Sequence, residues 1–172
     1  MMKLLKRLFA HFRKDEYPDC LKINGRSKLP TTAFKPTDKL YHAYNNEDLD
    51  ENDDIKLETV RFPDFSCNWN RFSEPIHVRY RKNGLKTDGC YSFTVEIARY
   101  KSIATPVHDP DPDEDNSYPN YSHVEIRQLL VGETVHFEPP KKRYSRSKKQ
   151  KSTRLEYRQN LLSKINYELP PE

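Results

Sequence analysis

Residues 76–97 read Ile76-His-Val-Arg-Tyr-Arg-Lys-Asn-Gly-Leu-Lys-Thr-Asp-Gly-Cys-Tyr-Ser-Phe-Thr-Val-Glu-Ile97, two alternating runs separated by two glycine turns. Ile76, Val78 and Tyr80 alternate with His77 and Arg79, the period of a half-buried strand. Tyr91, Phe93, Val95 and Ile97 repeat it. Asn83-Gly84 and Asp88-Gly89 are the strongest turn signals in the chain, because glycine takes up the positive φ of a tight hairpin without steric cost. Together these features predict an antiparallel hairpin across residues 76–98.

Downstream, His123 to Leu130 alternates again, with Val124 and Ile126 inward and His123, Glu125 and Arg127 on the opposite strand face. Val131-Gly132-Glu133 offers a turn into Thr134-Val-His-Phe137, after which Pro139-Pro140 stops any ladder. Upstream, Phe62-Pro-Asp-Phe-Ser-Cys-Asn-Trp-Asn-Arg-Phe-Ser73 mixes aromatics with turn formers and reads as an aromatic loop folded on a sheet. Leu4, Leu5, Leu8, Phe9 and Phe12 share one face of a short basic amphipathic helix. Thr153 to Ile165 allows a C-terminal helix through Leu155, Leu161, Leu162 and Ile165. The expected fold is therefore α+β. An N-terminal helix and loop-rich connector occupy residues 1–54, a small antiparallel β-rich core 55–140, and a basic extension ending in a helix 141–172.

Composition favours a compact centre with polar arms. Of 172 residues, 34% are apolar and 33% charged, against about 45–50% and about 25% in ordinary globular domains. Eleven Tyr, eight Phe and one Trp offset the shortage, since each covers a large area. The net charge of +4 is too small to imply a nucleic-acid partner, but the charges are segregated. Residues 1–14 hold only basic charges, 47–58 are acidic apart from Lys56, and 141–158 are basic apart from Glu156. Segregation of this kind suits oriented binding to a partner. Three cysteines without close spacing argue against a disulfide framework or a four-cysteine zinc site, so a reducing, cytoplasmic setting is expected. No apolar run reaches the roughly 18 residues that a membrane span requires.

Two groups of residues carry possible chemistry. The loop His108-Asp-Pro-Asp-Pro-Asp-Glu-Asp115 runs through Asn120-Tyr-Ser122 into His123-Val-Glu125. Imidazole and carboxylate groups there, namely His108, His123 and Glu125 with the loop aspartates, suit a divalent metal of mixed nitrogen and oxygen preference. Alternatively, His123 is a base oriented by Glu125 or an aspartate. The same loop fails as an EF-hand, lacking glycine at the sixth position and carrying prolines among its acids. The second group is the basic run of Lys141, Lys142, Arg143, Tyr144, Arg146, Lys148, Lys149, Lys151 and Arg154. Its cations neutralise phosphates, and Tyr144 offers a ring on which a base can stack. With four glycines in all, phosphate-cradling loops are mostly excluded. The expected function is that of an accessory or adaptor protein that binds a protein partner, and nucleic acid second, with no cofactor. The alternative is a metal-dependent hydrolase, such as a nuclease, built on His108, His123 and Glu125.

Overall fold

The computed structural model describes residues 17–81, 84–112, 118–138 and 147–172. Its strands are β1 (Lys39–Tyr44), β2 (Asp64–Trp69), β3 (Tyr80–Arg81), β4 (Gly84–Leu85), β5 (Gly89–Thr94), β6 (Ala104–His108), β7 (His123–Gln128) and β8 (Asn166–Leu169). Among the described residues, the α-helices α1 (Val95–Ala98) and α2 (Lys148–Leu162) accompany several single 3-10 turns. Six strands form one antiparallel sheet in the order β6-β7-β2-β1-β5-β8, while β3 and β4 pair only with each other. The fold is thus mixed α and β, dominated by an antiparallel sheet. The expected N-terminal helix lies outside the described residues.

Side-chain alternation builds the core on one face of this sheet. Leu40, Phe65, Cys67, Trp69, Tyr91, Phe93, Val124 and Ile126 all point to that face and are buried. Register explains their meeting: Leu40 sits between Trp69 and Phe93, Phe65 opposite Ile126, and Cys67 opposite Val124. Helix α2 then covers the face. Ser147 Oγ accepts the Gln150 N–H at its start, and Tyr157 and Leu161 insert fully into the core. The Tyr157 ring stacks on Phe62 with centroids 4.1 Å apart, and its hydroxyl donates to the Ala98 carbonyl at 2.9 Å. Burying each such aromatic contributes about 1.5–3 kcal/mol.

Several expectations are corrected here. Residues 76–98 are not one hairpin: Pro75–Arg79 forms a 3-10 turn, Tyr80–Arg81 pairs with Gly84–Leu85, and β5 lies between β1 and β8. Proline at the first position of the turn and the Glu74 N–H donated to His77 Nδ1 favour that turn over a strand. The aromatic segment after Phe62 is not a loop but contains β2, because Phe65, Cys67 and Trp69 keep a strict period of two toward the core. Strand β1 falls inside the expected connector, so the sheet begins before Ile55. Thr134 to Phe137 forms turns rather than a strand, with the Val135 carbonyl accepting from Thr105 Oγ1 and the His136 carbonyl from Thr31 Oγ1. Leu155, expected to face inward, is 45% exposed, and Tyr157 does the anchoring instead.

The basic extension is likewise not a separable arm over its described part. Strand β8 adds to the sheet edge, where Cys90 pairs with Leu169 and Tyr91 with Tyr167. Beyond it, buried Arg79 binds Glu172 Oε1 through Nη1 at 2.6 Å and the Pro170 carbonyl through Nη2 at 3.3 Å. Gly89 permits this closeness, since a Cβ there would lie 2.7 Å from both the Leu169 carbonyl oxygen and the Tyr44 ring.

Candidate functional site

Among the described residues, the second face of the sheet is open in the middle and covered at both ends. At one end Val78, carried by the 3-10 turn Pro75–Arg79, packs with Tyr41 and Cys90 in a small satellite core. At the other end buried Arg127 binds Glu125 Oε2 at 2.8–2.9 Å and Asp109 Oδ2 at 3.0 Å. Lys28 adds a 3.3 Å contact to Asp109 Oδ1. Burial of Asp109 acts to raise its pKa, but Lys28 and then Arg127 outweigh it and hold the carboxyl below the usual aspartate range. Glu125 is therefore held in an ion pair rather than presented as a ligand.

Between the two ends lies a cleft of about 230 Å³. Its floor follows from register alone: His123 of β7 faces Asn68 of β2, which faces Tyr41 of β1, so these three form one cross-strand row. One wall is Val78, Tyr80 and Arg81, and the other is Asp111, Tyr118 and Asn120. The second wall is stapled to the floor. Asn120 Nδ2 donates to Asn68 Oδ1 at 2.8 Å, while Asn120 Oδ1 accepts from the Ser122 N–H and hydroxyl. Asp111 and Asn120 exchange backbone hydrogen bonds of 3.0 and 2.8 Å.

Of the residues expected to form a metal or catalytic site, His123 lines this cleft and His108 does not. His108 pairs with Val124, so it lies on the core face while His123 and Glu125 lie on the other. Both its nitrogens are engaged: the Leu29 N–H donates to Nδ1 at 2.9 Å, and Nε2–H donates to the Tyr121 carbonyl at 2.6 Å. Burial depresses its pKa, with the Tyr121 bond partly opposing. His108 is a structural histidine that ties the 28–31 segment to the edge strand β6. In His123 the Nδ1–H donates to the Asp109 carbonyl at 2.6 Å, leaving Nε2 as the acceptor. The orienting group is this main-chain carbonyl, neither Glu125 nor an aspartate side chain. Among the described residues, no three His, Cys, Asp or Glu side chains are grouped to hold a metal. Asp113 and Asp115 lie outside them.

The basic run divides similarly. Lys141, Lys142, Arg143, Tyr144 and Arg146 are outside the described residues. Lys148, Lys149 and Lys151 are exposed at the start of α2. Arg154 is instead partly buried, donating from Nε to Gln128 Oε1 at 2.9 Å, so it braces the helix on the sheet. Cys67 and Cys90 are buried with their thiols pushed to higher pKa, in the case of Cys90 to about 12, which removes them as nucleophiles. No helix among the described residues is long and apolar enough to cross a membrane. Sequence reasoning missed Tyr41, Asn68, Tyr80, Arg81 and Tyr118 as site residues; the abundance of tyrosine was the signal for three of them, and Asn68 and Arg81 carried none. No family model matches the chain, and neither a curated protein nor a solved structure matches it.

Proposed function

We propose that this chain is a non-enzymatic adaptor that seats a protein partner on the open face of its sheet. The observation that carries this reading is the contrast between the two faces. One is sealed by the core and α2, whereas the other holds a cleft walled by tyrosines, amides and charged side chains and flanked by rigid supports. Aromatic and arginine side chains on a braced surface are the composition of interface hot spots. A second, weakly specific contact to nucleic acid is assigned to Lys148, Lys149 and Lys151, continued in sequence by the basic residues before them. In this reading the protein works in the cytoplasm.

The test is site-specific photo-crosslinking in cells of the source organism, with the photoreactive residue placed at position 81 or 118, and at position 155 on α2 as the reference. The expected result is one discrete protein adduct from the two cleft positions and not from position 155. Adducts from position 155 alone, or none from the cleft at saturating irradiation, would remove the open face as the docking surface.

A further inference from the structure

We infer that the cleft is a cage for an organic cation, the lysine or arginine side chain of the partner. The inference rests on the adaptor reading for the source of the cation, but its chemistry comes from the walls. Tyr80 and Tyr118 stand nearly perpendicular, at 86° with centroids 5.6 Å apart, so they form a corner of two aromatic surfaces. Tyr17 stacks on Tyr118 at 4.9 Å and 5°, and meets Tyr80 edge-on at 5.4 Å. Tyr17 thereby packs against both rings. A cation within about 6 Å of such ring centroids is attracted by their quadrupoles, and a corner offers two rings at once.

Charge selects the same occupant. Arg81 is the cationic side chain in the lining, and its guanidinium is paired with Asp88 Oδ2 at 2.8 Å. Asp111 makes no ion pair among the described residues, so within that set its carboxylate is the unpaired charge of the lining. Of the two histidines at the cleft, His42 turns its ring to the core face against Phe65 and Tyr91, and His123 gives its Nδ1–H to the Asp109 carbonyl. An anion such as a phosphate would meet Asp111 directly. An ammonium or guanidinium meets two tyrosine rings, a carboxylate and an imidazole acceptor.

The experiment titrates the full chain, at low salt and pH 7.5, with four probes observed by amide NMR shifts. They are the capped tripeptides Gly-Lys-Gly, Gly-Arg-Gly and Gly-norleucine-Gly, and adenosine 5′-monophosphate. The lysine or arginine peptide is expected to bind saturably with shifts centred on Tyr41, Asn68, Tyr80, Asp111, Tyr118 and His123. The norleucine peptide, equal in shape without the charge, is expected to bind about tenfold more weakly. Asp111→Asn keeps the backbone bridge and should lower cation affinity about tenfold with an unchanged melting temperature; Tyr118→Leu should lower it by a similar factor, with some loss of melting temperature from the contacts of its ring with Tyr17 and Tyr80. Equal binding of norleucine would make the cleft a merely apolar slot, and stronger binding of the nucleotide would make it an anion site. Either result overturns the cage. If no peptide binds while positions 81 and 118 still crosslink a partner, the cage falls and the adaptor reading stands. If both fail, the adaptor reading falls as well.

Discussion

Acid should destabilise this protein through His42, and by an amount that a single substitution can isolate. His42 lies in β1, where its alternation places it with Leu40 and Tyr44 on the core side. Its ring packs at 4.4 Å from Phe65 and 5.3 Å from Tyr91, and Nδ1–H donates to the Ser66 carbonyl at 2.7 Å. Burial is the dominant effect and lowers its pKa from 6.5 to about 4, partly opposed by the Ser66 bond; Arg81 and Arg61 push the same way as burial, and Asp48 against it. Because the folded pKa is depressed, the unfolded chain takes up the proton first. The histidine therefore costs nothing above pH 6.5, and stability falls as pH drops toward 4. At about 1.4 kcal/mol per pH unit, the full loss is about 3 kcal/mol, most of which, about 2–3 kcal/mol, should be gone at pH 4.5. Urea unfolding at pH 7.5, 5.5 and 4.5 measures it directly. The His42→Gln variant keeps a side-chain N–H for Ser66 without a titrating ring. The expected outcome is a small loss at pH 7.5, about 1 kcal/mol, and a pH profile flatter than that of the parent by about 2–3 kcal/mol. His77 and His108 are also lowered by burial, but they titrate alike in both proteins and cancel in the difference. Parallel profiles within about 0.5 kcal/mol would refute the assignment of acid sensitivity to His42.

Substitutions at two other positions test the roles assigned to the C-terminal helix and to His108. Tyr157→Phe should cost about 1–2 kcal/mol in chemical denaturation, because the buried Ala98 carbonyl loses its donor, and Tyr157→Ala about 3–5 kcal/mol through the cavity beside Phe62. A smaller alanine effect would mean that α2 docks independently of the core. His108→Ala should cost about 2–4 kcal/mol by orphaning the Leu29 N–H and the Tyr121 carbonyl, yet leave the metal content of tag-free protein the same as in the parent. Elemental analysis finding one metal per parent chain, lost in this variant, would restore His108 as a ligand.

What could be read from the chain, and what could not, divides at the point where strands choose partners. The period-two face of Val124 and Ile126 against His123, Glu125 and Arg127 was legible because it depends on one strand only. The hairpin across 76–98 failed because alternation does not say what an alternating segment pairs with. Val78 satisfies its burial by one turn of 3-10 helix over Tyr41 and Cys90, and Gly89 to Thr94 finds β1, some fifty residues away in sequence. The proposed convergence of His108 with His123 failed for the same reason. Fifteen residues apart and joined by a loop, they look like neighbours, yet the pairing of His108 with Val124 sets them on opposite faces. The cleft is the positive counterpart of that failure. Its floor residues, Tyr41, Asn68 and His123, come from three strands and are aligned only by antiparallel register, and its walls come from a 3-10 turn with β3 and from a loop. Tyr41 and Asn68 are buried and His123 partly exposed, and none of the three stands out alone in the sequence. Their common row makes the surface specific, so shifting β1 by one residue against β2 would abolish the cleft while leaving every local sequence signal intact.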